Sequence, residues 1–354
     1  MTDAHARSAP SGAVDYVARW DLDKTYLRTD FDTLRDLVRT AIERPDRKRS
    51  VPGAAALLRE LGRSGARVHI LSGSPRQMRS KLEEKLAIDR VRFDELTLKP
   101  NLSNMVRGRL RALRDQLGYK LPVLLVARAR DQRLGPPDRL VREVLVGDDA
   151  EADAFVYSLY ADLCAGKADR SLLVRILDAG RVYRDQADQA LQAFAEIEEG
   201  PVVERMLIHL DRQTPPSRFD GYGRRVVPFY NYLQAAFVLA EDGRLDPIAV
   251  LRVASELVQR DRFDAEGLAR SYLDLMRRGH VHGSLCASLG EAIDGARAEA
   301  SHSDFAELSR MCELVRDYAK NPPERREAQA EELDYVDLAR RHRGGRNRRR
   351  VAFR

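Results

Sequence analysis

Asp21 and Asp23 stand two residues apart in Trp20-Asp21-Leu22-Asp23-Lys24-Thr25. Two carboxylates that close can divide labour, one attacking an electrophile while the other moves a proton. Their oxygens also suit a hard divalent cation. A lone pair of acids is equally at home in a solvated turn, so the case rests on partners elsewhere in the chain. Ser72 opens Ser72-Gly73-Ser74-Pro75, where a small hydroxyl meets a helix start whose free N–H groups attract anions. Lys120 supplies a cation, and Lys99 is a second lysine in the same interval. Gly147-Asp148-Asp149-Ala150-Glu151-Ala152-Asp153 is a further acidic cluster. Paired carboxylates, a hydroxyl beside helix N–H groups, a lysine and more carboxylates make the set that Mg²⁺-dependent phosphoryl transfer requires.

These residues must be carried to one place by the elements before them. Val14 to Ala18, Arg67 to Leu71 and Glu143 to Val146 are apolar runs that read as buried strands, each followed at once by one of the polar clusters. Arg90 to Leu98 alternates and reads as a strand or hairpin arm. Helical spacing marks Asp32 to Ile42, Pro52 to Leu61, Ser103 to Leu117 and Ala152 to Cys164. Gly118 reads as the end of one helix, with Lys120 at the start of the next, Leu121 to Ala129. Strands alternating with helices predict a doubly wound parallel sheet of Rossmann-like α/β type, with its site at the strand C-termini.

In order and spacing these motifs resemble the haloacid dehalogenase-like (HAD) hydrolase superfamily over residues 14–165. Asp21-Leu22-Asp23-Lys24-Thr25 is similar to its D-x-D-x-T motif. Ser72 closes the second strand as the family's Ser or Thr does, Lys120 matches its lysine, and Gly147-Asp148 to Asp153 matches G-D-x-x-x-x-D. The resemblance implies that Asp21 is the nucleophile and a Mg²⁺ ligand. It implies that Asp23 is the general acid/base and gives its backbone carbonyl to the metal. It further implies that Ser72 and Lys120 hold the phosphoryl group, that Asp148 ligates Mg²⁺, and that Asp153 or Asp149 supports it. Lys120 is preferred to Lys99, which precedes Pro100 at a strand end. A narrower likeness, to the App1-type phosphatidate phosphatase catalytic domain, rests on Leu71 to Met78, Tyr119-Lys120 and Val146 to Tyr157. Gly73, Asp149, Ala150 and Ala154 replace that family's Asn, Ser, Gly and Pro.

About fifty residues separate Asp21 from Ser72 and Ser72 from Lys120, which leaves little for an inserted cap. A capless, open site suits a bulky phosphorylated substrate. Trp20, the single tryptophan, alternates away from Asp21 and is expected in the core. From about Asp169 onward the text reads as helical: Leu172 to Leu177, Ala187 to Ile197, Val202 to Leu210, Phe229 to Leu239, Pro247 to Val258, Ala265 to Arg277 and Phe305 to Tyr318. The expected plan is a lead-in over 1–13, the phosphatase domain over 14–180, an all-α domain over 181–339 and a tail over 340–354. Phe219 to Tyr232 reads as an aromatic and arginine-rich loop packed on the helices.

The net charge of +6 is local. Residues 340–354 hold eight arginines and no acid; setting these aside from the 61 basic residues leaves 53 against 55 acidic. The tail could meet anionic lipid or nucleic acid. Three scattered cysteines argue against a disulfide framework or zinc site. No run is long and apolar enough to span a bilayer, and no secretory signal opens the chain, so a cytoplasmic protein is expected. The reading is a Mg²⁺-dependent phosphomonoester hydrolase acting on phosphatidate or another bulky phosphorylated substrate. Phosphatase action on nucleic-acid ends, or a non-catalytic scaffold whose helical part binds a partner, are the alternatives.

Overall fold

The computed structural model describes residues 14–23, 25–27, 50–99, 113–296, 302–324 and 332–342. The helix expected over Asp32 to Ile42, most of that over Ser103 to Leu117, and the tail beyond His342 lie outside these residues.

Six parallel strands form one sheet in the order β3-β2-β1-β4-β5-β6. They are β1 (Tyr16–Asp21), β2 (Arg67–Pro75), β3 (Glu95–Lys99), β4 (Arg142–Asp148), β5 (Val203–His209) and β6 (Val226–Phe229). The chain leaves β1 toward β2 on one side and returns from β3 to β4 on the other. Strand order therefore reverses between β1 and β4, and a crevice opens beyond their C-termini. Every residue of β1 is buried, as expected for a central strand covered on both faces.

Helices cover both faces. On the face carrying Ala18, Trp20, Ile70 and Val146 lie α1 (Ala54–Arg63), α2 (Arg79–Ile88) and the C-terminal helices. The latter are α7 (Tyr232–Glu241), α8 (Pro247–Asp261), α9 (Ala265–Arg277), α10 (Leu285–Ala296) and α11 (His302–Lys320). On the face carrying Leu71, Leu145 and Met206 lie α3 (Leu113–Asp131), α4 (Asp153–Cys164), α5 (Arg170–Gly180) and α6 (Arg184–Phe194). Side chains of Asp169, Asn231, Asp246 and Asp264 each accept a backbone N–H three residues on, which fixes where α5, α7, α8 and α9 begin.

Four expectations need correction. Val202 to Leu210 is not a helix: Val203–His209 is strand β5, paired with β4, and β6 follows within the segment expected to be all helical. The sheet therefore continues well past residue 180. Gly118 does not end a helix, since α3 runs through it and through Pro122. A Cβ at Gly118 would lie 2.2 Å from Gln186 Oε1 and 3.0 Å from Val182 Cγ1, so this glycine lets α6 approach α3. The helix α10 was not anticipated. Nor is Phe219 to Tyr232 a loop: it holds a 3-10 helix to Tyr222, strand β6 and the first residue of α7, with Phe219, Phe229 and Tyr232 buried. All three cysteines are buried and free. Among the described residues no helix is long and apolar enough to cross a membrane.

Candidate active site

Asp21 is the last residue of β1 and Asp148 the last of β4, so the reversal in strand order delivers both carboxylates to one crevice. Ser72 comes in on the next strand, its neighbour Leu71 being in register with Asp21. Alternation turns Trp20 to the opposite face, where it stacks on Tyr232 at 5.3 Å between centroids. Lys120 reaches the site from the middle of α3, and Asp153 from the first turn of α4.

Asp21, Asp148, Glu151 and Asp153 each offer a carboxylate oxygen, and these atoms lie within 4.8 Å of one another. Lys120 Nζ sits among them, bonded to Asp153, 2.8 Å from Glu151 Oε2 and 3.5 Å from Asp21 Oδ1. Asp153 also accepts the Asp148 N–H at 3.0 Å. Asp148 Oδ1 accepts the N–H groups of Ala150 at 2.5 Å and Glu151 at 3.0 Å, closing the turn after β4. Gly147 is required there, because a Cβ would fall 2.3 Å from Asp153 Oδ2.

Asp23 is held apart from this group. Its Oδ2 accepts the Ser72 hydroxyl at 3.0 Å and the Gly73 N–H at 3.1 Å. Ser72 Oγ in turn accepts the Ser74 N–H at 3.0 Å, and the Ser72 carbonyl accepts Tyr119 OH at 2.8 Å. Lys99 is not at the carboxylates; its ammonium lies 5.0 Å from the centre of the Tyr119 ring.

Burial raises the Asp21 carboxyl well above the ordinary carboxylate range; Lys120 opposes this and the neighbouring acids add to it. Asp148 is raised in the same way, by burial and then by Glu151 and Asp153. Asp153 is raised by burial against the pull of Lys120, and Asp23 by burial and then Glu151. For Lys120, burial favours the neutral amine, yet Asp153, Asp21 and Glu151 together hold the ammonium well above its usual value.

A divalent cation fits this donor set on an observation independent of the acid count. Asp21 Oδ2 and Asp148 Oδ2 are buried and have no hydrogen-bond partner among the described residues. Orphaned buried carboxylate oxygens are costly unless a cation or proton meets them.

Of the residues singled out in the sequence, Asp21, Lys120, Asp148 and Asp153 are brought together, and Asp23 with Ser72 stands beside them. The expected support of the metal by Asp149 is not met. Its two oxygens accept the N–H groups of Arg212 at 2.8 Å and Thr214 at 3.0 Å, so it ties down the loop after β5. Glu151 was missed as a site residue, although it stands in the acidic run of the sequence. Comparison with protein-family models, with curated proteins and with solved structures finds no match for this chain, so its site is characterised by these residues alone.

Proposed function

We propose that this chain is a Mg²⁺-dependent phosphomonoester hydrolase of the HAD-like superfamily, working through an aspartyl-phosphate. The observation that carries the reading is the meeting of Asp21, Asp148 and Lys120 at the strand reversal, with two buried carboxylate oxygens that no donor among the described residues meets. Asp21, Asp148 and Asp153 would hold the ion, and Mg²⁺ when bound would offset negative charge between the carboxylates and a phosphoryl group.

The chain's own residues account for the rest. Asp21 would attack phosphorus, forming a P–O bond as the bond to the substrate oxygen breaks. Asp23, whose carboxyl is raised by burial, would carry the proton that the departing oxygen needs. As a carboxylate it would then take a proton from the water that attacks the acyl-phosphate, releasing phosphate and restoring Asp21. Ser72 and the Gly73 N–H fix the Asp23 carboxylate against the end of β2. Lys120 would stabilise charge on the phosphoryl oxygens.

A phosphate carried by a bulky molecule, phosphatidate included, is the proposed substrate class. A nucleic-acid end is the second reading, favoured by the place where the arginine-rich segment is rooted. Tyr335, Val336 and Ala339 pack into the core on the α4 side, and the His342 ring lies 5.7 Å from that of Phe155, two residues past Asp153. Phosphate release from an aryl phosphate, with and without Mg²⁺ and beside Asp21→Asn, tests the activity. Phosphatidate vesicles against phosphorylated oligonucleotides then separate the substrates.

A further inference from the structure

An ammonium has three N–H donors. Those of Lys120 face Asp153, Glu151 at 2.8 Å and Asp21 at 3.5 Å. A phosphoryl oxygen that is to bind Lys120 must therefore replace a carboxylate already there. Asp153 is fixed, with a fully buried side chain whose other oxygen accepts the Asp148 N–H. Asp21 is fixed as the end of the central strand, its side chain 2% exposed. Glu151 differs from both: it stands in the turn between β4 and α4, and its side chain is 21% exposed.

Charge leads to the same residue. Once a divalent ion is bound, Asp21, Asp148 and Asp153 are balanced by that ion and Lys120 together. Glu151 is the surplus negative charge, and its field reaches Asp21, Asp23, Asp148 and Asp153 alike. An incoming phosphoryl dianion meets that charge first.

We infer that Glu151 is a stand-in anion: it occupies the phosphoryl position on Lys120 in the free protein and is displaced when a phosphorylated substrate binds. The residue thereby sets how strongly the site holds phosphate, and favours substrates with further contacts outside the phosphoryl group. This rests on the reading of Lys120 as the phosphoryl-binding lysine.

The test is inorganic phosphate binding to the full chain in saturating Mg²⁺, measured by calorimetry for the parent, Glu151→Gln and Glu151→Ala. Loss of one like charge at contact distance should tighten phosphate binding about tenfold or more in both variants. KM for an aryl phosphate should fall in parallel. A merely structural role for Glu151 would weaken binding rather than strengthen it. In a Lys120→Met background, Glu151→Gln should give a clearly smaller gain, because only the like-charge repulsion is then relieved and no ammonium is freed. Phosphate binding as tight in the parent as in both variants would overturn the inference alone. Loss of Mg²⁺ binding in both variants would overturn it too, marking Glu151 as a ligand instead. No phosphate binding by any of the proteins would overturn the inference together with the phosphomonoesterase reading.

Discussion

Lys120→Met removes the ammonium that pairs with Asp153, Glu151 and Asp21 while keeping most of the side-chain bulk. The Lys120 side chain is 4% exposed and those of Asp153 and Asp21 are 0% and 2%, so the carboxylates it leaves behind stay desolvated. Breaking a buried pair by removing one partner costs about 3–5 kcal/mol. With an unfolding entropy of ~2.1 cal/mol/K per residue over 354 residues, that is about 4–7 °C of Tm in metal-free buffer at pH 7. The pH dependence follows from the raised carboxyls. Asp21, Asp148 and Asp153 are held above the ordinary value of 3.8, burial being the largest cause. Such groups bind more protons folded than unfolded. Their contribution to stability is complete below about 3.8 and is lost as pH rises through the folded values. Lys120 is raised as well, by the acids around it, so its own contribution is present in full below about 10.5 and is lost only as pH rises beyond that. Without the ammonium the folded carboxyl values climb further and the loss spreads toward neutrality. The Tm deficit should therefore be smallest near pH 4, largest at neutral pH, and narrowed by Mg²⁺. Scanning calorimetry across pH, with and without metal, reads all three. A variant as stable as the parent at pH 7, or a deficit that persists unchanged on acidification, would refute the electrostatic account.

Asp149→Ala should leave Mg²⁺ affinity unchanged in a calorimetric titration. It should cost about 1.5–3 kcal/mol in urea denaturation, because the N–H groups of Arg212 and Thr214 lose a charged acceptor. Gly147→Ala should weaken Mg²⁺ binding by about 10–100-fold, since the new Cβ displaces the carboxylate that orients both Asp148 and Lys120. Arg19→Met should destabilise the protein by about 3–5 kcal/mol in the same denaturation assay. Arg19 is fully buried on β1, bidentate to Glu143 at 2.8 Å for each bond and 3.0 Å from Asp131, and neither acid has solvent to turn to. Pairing it with Glu143→Gln should recover part of that loss.

The strands that carry the site were legible because each couples a short apolar run to a polar cluster at its end, as in Val68 to Ser72 and Val144 to Asp148. β5 was not. Val203, Met206, Leu207 and Leu210 fall at helical spacing, while Val203–His209 is a central strand buried by helices on both faces. The adjacent polar residues Glu204 and Arg205 also break the alternation that would mark a strand, so the spacing favours the wrong element. β6 has four residues and a proline, and it vanished into the aromatic loop. Losing β5 also hid the fate of Asp149, whose partners lie just beyond that strand. Gly118 looked like a breaker because its cause is a contact with α6, which no local pattern announces. Glu151 was plainly an acid in an acidic run, but only the place of Lys120 Nζ distinguishes it from its neighbours.

Covalent capture at Asp21 tests the central claim most directly. Asp23→Asn should slow breakdown of the acyl-phosphate, so acid quenching during turnover of an aryl phosphate would preserve it for peptide mass analysis. The account expects a phosphoryl increment on the peptide holding Asp21, formed only with Mg²⁺ and absent from an Asp21→Asn protein. Turnover with no increment, or an increment on another residue, would contradict it.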